Sequence, residues 1–285
     1  MSLDRVGPPA DTRLVASEHS NRGAKRARQA RADLGFTREG PLPDLLRAIE
    51  EHGDAHVVVL KLPEGVAGAY IAKPDLPLLL VNGRQAISRQ RFTLAHEFGH
   101  FRMRHGSVVD EQKAISGFYG HDPQEVCANA FAAEFLMPCD AVKAWGADYV
   151  GDAAVTHEHV LLLACEFGVS AQAARYALTT ANVLTDETRG EQLDAEIAEE
   201  LHVQEAERLG LRWSHDELAD TAGRLPRLPT ALRGTALADL LAGELDVVGL
   251  ARRTGRRPEE VGAMLVALGF DRLMPGAFAL APVTP

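Results

Sequence analysis

Cysteine is scarce in this chain: only Cys127, Cys139 and Cys165 occur in 285 residues. They are scattered without metal-like pairing, and the contexts around them are largely apolar and helical, so no disulfide framework is expected and a reducing cytoplasm is the natural compartment. Long apolar runs are missing as well. None approaches the roughly 18 residues needed to cross a membrane. The opening MSLDRVGPPADTRLVASEHS has no apolar core and predicts no secretory signal. An excess of positive charge is also absent. A net charge of −10 argues against gross nucleic-acid binding while leaving local patches open. No internal repeat is strong enough to impose a repeat architecture. What is present is ordinary for a globular chain, 46% hydrophobic and 25% charged, with length for one large or two small domains.

The most informative stretch is RFTLAHEFGHFRMRH. His96 and His100 are four apart, so on a helix they project from one face, about 6 Å from each other, and both imidazoles can reach one metal ion. Glu97 lies between them, placed to take a proton from a water that the metal activates rather than to bind the metal. The string alone is only moderately specific, and a solvated helix with two surface histidines is the bland alternative. Leu94, Ala95, Phe98 and Phe101 argue against it, because they make the helix apolar enough to be buried. A buried helix carrying His, Glu and His needs a cation.

A catalytic metal usually has three protein ligands. The segment DPQEVCANAFAAEFLMP offers a third. Asp122-Pro123 reads as a helix start and Met137-Pro138 as its end. Glu125 and Glu134 are nine apart, two and a half turns, so they face opposite sides and only one can meet the metal. Glu125 shares a face with Asn129, which could hydrogen-bond a ligating ring, and is preferred; Glu134 is the alternative.

Together, RQRFTLAHEFGHFRMRH and EVCANAFAAEFLMP resemble the paired helices of the ImmA/IrrE metallopeptidases, of the form RFTLAHELGH and ExxANxFAAxLLMP. GAYIA at 68–72 and PLLLVN at 77–82 resemble the strands that precede the first helix in that family. The resemblance spans roughly residues 40 to 180. It implies Zn²⁺ held by His96, His100 and Glu125, with Glu97 as catalytic base. Phe135 replaces the usual Leu, a harmless core swap. Cys127 stands where an acid or Gln is frequent, about 200° round the helix from Glu125, and reads as a small buried hydrophobe.

Around these motifs the expected order is an α+β fold. It has a basic N-terminal arm over 1–40, with RGAKRARQARADLG read as a solvated, partly ordered basic helix. A mainly helical, zincin-like metallopeptidase domain then occupies 41–185. PLPDLLRAIEEHG predicts a short amphipathic helix, while HVVVLKLP, GAYIA and LPLLLVN predict a small three-stranded antiparallel sheet. Residues 103–121 carry no clear periodicity and read as a loop or short helix. Residues 159–184 read as a helix-turn-helix-like unit completing the peptidase domain. Residues 186–285 form a helical C-terminal domain, with a winged helix as one reading and PRLPTALRG at 226–234 as a linker.

Charge is uneven in that last region. Residues 187 to 220 hold 11 acids against three arginines, whereas Arg224 to Arg257 holds seven arginines against three acids. Arg252, Arg253, Arg256 and Arg257 surround a second helix-turn-helix-like turn. They would serve an acidic protein surface or DNA, with DNA the lesser role. Tyr70, His105, Tyr119 and His121 are all candidates to stabilise an oxyanion, and the sequence does not rank them. The resemblance implies a substrate class: a helix-turn-helix repressor, cut to release stress-response or mobile-element genes. The competing expectation is a non-proteolytic regulatory module that binds DNA or protein through its basic segment. Glu97 discriminates, since a purely structural metal site has no use for an acid beside it.

Overall fold

A computed structural model describes residues 10–37, 39–112, 122–220 and 227–278. Its centre is a four-stranded sheet built from β1 (His56–Leu60), β2 (Val66–Ile71), β3 (Leu78–Asn82) and β4 (Val108–Glu111), in the order β1-β3-β2-β4. β1 runs parallel to β3, with His56 opposite Leu78, and β2 is antiparallel to both β3 and β4. The expected three-stranded antiparallel sheet is therefore corrected to a mixed, four-stranded one. β3 inserts between β1 and β2, an order that three similar apolar runs do not reveal. β4 lies inside the stretch read as a loop or short helix, because VVDE is too short to display an alternation.

Every residue of β2 and β3 is buried, so both faces of the sheet are covered. One face, carrying Val57, Val59, Tyr70, Leu79 and Val81, packs on helices including α1 (Ala10–Asp33), α2 (Leu45–His52), α3 (Ile87–Met103) and α4 (Pro123–Leu136). The amphipathic α2 follows its expected pattern, with Leu45, Ala48 and Ile49 inward and Asp44 capping its start through Arg47 N. α1 is docked rather than solvated. Ala27 and Ala30 are fully buried, and a Cβ at Gly23 would come within 2.1 Å of Cys127 O, so only glycine allows this approach to α4. Arg31 is buried with them, donating to Thr37 O, Phe135 O and Gly40 O.

The opposite face, with Val58, Leu60, Ala69, Ile71, Leu78 and Leu80, is covered by the C-terminal helices. Leu240, Leu241, Leu250, Ala251, Val261, Leu265, Phe270 and Leu273 form one cluster with it. Residues on both sides of the boundary expected near 186 thus share a core. The helix pairs His157–Phe167 with Ala171–Thr180, and Val247–Thr254 with Pro258–Ala267, stand where the two helix-turn-helix-like units are expected. The expected linker is tied down as well: Arg227 N donates to Val59 O and Val59 N to Arg227 O, at 2.8 and 2.9 Å. Arg227 also donates to Glu50 Oε1 at 2.9 Å. These contacts cap the outer edge of β1. Among the described residues no strand pairs with the outer edge of β4, and no helix is long and apolar enough to cross a membrane.

Candidate metal centre

Phe98 lies midway between His96 and His100 in sequence, on the other side of α3, and packs against Phe131 and Phe135 of α4 with ring centroids 5.9 and 5.6 Å away. Phe131 and Phe135 stack on each other at 5.2 Å. This aromatic lock fixes the two helices face to face. Asp122 starts α4, accepting from Gln124 N at 2.8 Å with Pro123 in the first turn, so Glu125 falls in the turn that meets the histidines.

The result is a buried cluster. His96 Nε2 lies 3.1 Å from His100 Nε2. Glu125 places Oε2 3.3 Å from His96 Nε2 and Oε1 3.5 Å from His100 Nε2. Asp110, on β4, sets Oδ2 3.3 Å from His96 Nε2 and 3.8 Å from His100 Nε2. One ligand atom from each of these four residues lies within 4.8 Å of all the others. Glu97 is fully buried beside them.

The outward-facing ring nitrogens are also held. Asn129 Oδ1 can only accept, so at 3.0 Å His96 Nδ1 carries the proton and its Nε2 keeps a lone pair for the centre. α3 ends at Arg104 in the left-handed conformation, φ 59°, and His105 N donates to His100 O at 3.0 Å. That turn brings His105 Nδ1 to 2.8 Å from His100 Nδ1.

The electrostatics call for a cation. Glu97 Oε1 and Oε2, Asp110 Oδ2 and Glu125 Oε2 are buried without a hydrogen-bond partner among the described residues. Unpaired buried carboxylates are costly, and a divalent ion is the economical partner. Burial pushes the Glu97 carboxyl well above its ordinary range, and the Asp110 and Glu125 charges add to that. Burial alone would depress His96, but those same carboxylates outweigh it and lift its pKa to about 9. Burial and the neighbouring His96 lower His100 to about 3. Burial likewise opposes ionisation of Asp110, yet His96 and His100 hold it below its usual value. The donor set, two imidazoles with carboxylates, suits zinc.

Glu134, the other acid considered on α4, turns away: it pairs with Arg28 at 2.9 Å and accepts from Cys139 N. Among the oxyanion candidates, His105 sits against His100. Tyr70 is on the α3 face of β2, its ring edge-on to Phe101 at 6.0 Å. Tyr119 and His121 lie outside the described residues. Asp110 is the residue that sequence reasoning missed. The signal was an acid following two β-branched residues between the two helix motifs, too short to read as a strand.

Gly68 makes room for the base. It pairs with Asp110 across β2 and β4, and a Cβ there would lie 2.6 Å from Glu97 Oε1, 2.6 Å from Thr93 Cγ2 and 2.7 Å from Leu80 O. Gly68→Ala is expected to cost about 1–3 kcal/mol, as overpacking does, and to displace Glu97. Thermal unfolding of the variant beside its cleavage rate checks this; unchanged values of both would refute the tight fit.

The family model of the M78 peptidases, described as the IrrE N-terminal-like domain, matches residues 50–179, a span that includes every residue of the cluster. No curated protein matches the chain.

Proposed function

We propose, from the match of residues 50–179 to the IrrE N-terminal-like peptidase family, that the protein is a zinc-dependent endopeptidase cutting a helix-turn-helix transcriptional repressor, thereby releasing stress-response or mobile-element genes. The observation that carries the peptidase chemistry is the convergence of His96, His100 and Glu125 around one point with the unpartnered Glu97 beside it. Zinc held there would supply Lewis acidity, acidifying a water molecule and polarising the scissile carbonyl.

The chain's own groups do the rest. Asn129 and His105 orient the two imidazoles. Glu97 takes the proton of the attacking water and hands it to the leaving amine. A peptide in extended form adds to the outer edge of β4, which no strand among the described residues occupies, and backbone hydrogen bonds hold it in line with the centre. Such pairing needs the target locally unfolded, which favours a flexible segment of the repressor. The exposed Arg252, Arg253, Arg256 and Arg257 offer an acidic partner a docking face. Their charge is diluted, since Arg253 pairs with Asp239 and Arg257 with Glu260, which favours a protein surface over DNA.

The test is to incubate zinc-loaded protein with the helix-turn-helix repressor encoded nearest its gene and weigh the products. One pair of fragments, lost with chelator, is expected. An intact repressor alongside cleaved generic peptides would overturn the substrate class and leave the peptidase standing.

A further inference from the structure

Asp110 occupies a position that a catalytic centre leaves open. Zinc–ligand bonds of about 2.0–2.2 Å place tetrahedral ligands about 3.3–3.6 Å from one another. The pairs His96–His100, His96–Glu125 (through Oε2), His100–Glu125 (through Oε1) and His96–Asp110 are 3.1, 3.3, 3.5 and 3.3 Å apart, His100–Asp110 is 3.8 Å, and the four ligand atoms all lie within 4.8 Å of one another. Asp110 Oδ2 thus lies as close to His96 Nε2 as Glu125 does, at the fourth corner of an irregular cage. Its Oδ2 is buried without a hydrogen-bond partner among the described residues and faces the ring nitrogens of both histidines.

Resting on the metallopeptidase reading above, we propose that Asp110 is a fourth metal ligand that closes the centre in the resting protein, and that substrate must displace it before cleavage. The displacing element is the strand that carries it. β4 is four residues long and lies at the sheet edge; its pairing with β2 has a register shift between Val66 and Gly68. A peptide adding to the outer edge of β4 acts directly on the backbone of Asp110. One side-chain rotation then opens the fourth position to water and the scissile carbonyl. A peptide that cannot pair with β4 leaves the cage shut, so the latch selects for substrates able to form that strand.

The experiment uses the full-length protein loaded with Co²⁺ in place of zinc, with acetohydroxamate as the probe of an open position. The wild-type protein is expected to show the intense visible bands of a four-coordinate ion and to bind the hydroxamate weakly. Asp110→Ala should bind it at least about tenfold more tightly, with a changed visible spectrum, and should lose metal affinity by a factor of about 10–100. Asp110→Asn keeps the shape of the side chain and guards against a folding artefact; it should shift in the same direction. Equal hydroxamate affinity and equal spectra in wild type and both variants would overturn the latch while leaving the metal site intact. Failure of the wild type to bind Co²⁺, or undiminished binding in His100→Ala, would instead overturn the metallopeptidase reading on which the latch rests.

Discussion

Glu97→Gln is expected to lower peptide-bond cleavage by about 10²–10⁴-fold, the usual contribution of a positioned general base, with metal content unchanged. The amide has nearly the shape of the acid and fits the same space beside Gly68, so the fold should persist. It cannot accept the proton of the attacking water. Glu125→Gln should differ in kind, losing metal affinity as well as activity, because Glu125 presents its two oxygens to His96 and His100. Metal analysis beside steady-state cleavage separates the two roles. Retained cleavage in Glu97→Gln would move the base elsewhere, with Asp110 the nearest remaining carboxylate.

A truncation after Leu184 is expected not to fold. It would strip the cover from one face of the sheet, exposing Val58, Leu60, Ile71, Leu78 and Leu80, each at most 6% accessible in the intact protein. Fully burying such a side chain is worth about 1.5–3 kcal/mol. Five of them therefore represent about 7–15 kcal/mol, as much as the whole net stability of a typical domain. The truncated chain should be insoluble, or show no cooperative thermal transition and no bound metal. The sequence alone suggests the opposite, a free-standing metal-loaded domain, because the charge inversion near Arg224 looks like a boundary. A soluble, cooperatively unfolding truncation would show that the C-terminal helices are dispensable to the sheet.

The parts of the centre on helices were legible because helical spacing fixes which side chains share a face. Two histidines four apart, and Glu125 four before Asn129, state their geometry in the string itself. Phe98 announced a buried helix, though not that it packs on Phe131 and Phe135 to lock α3 against α4. Asp110 was hidden because its place depends on strand pairing. Only the register that sets it opposite Gly68 reveals which face it takes. The docking of α1 was obscured in another way. Gly23, Ala27 and Ala30, followed by Leu34, form a narrow apolar stripe, but the arginines between them dominate the composition and suggest a solvated arm. The stacking of C-terminal helices on the sheet could not be read from either partner alone. The apolar content of β1 and β3 on both faces was the available signal, since a strand with one wet face alternates.

The central claim is that His96, His100 and Glu125 hold a catalytic metal ion. Elemental analysis of the purified protein and of two variants tests it most directly, with circular dichroism confirming that each is folded. The wild type should carry about one zinc per chain, and His96→Ala and His100→Ala should carry almost none, since a single imidazole is then left beside the carboxylates. Stoichiometric zinc in both folded variants, or a wild-type protein with no affinity for zinc, would contradict the account.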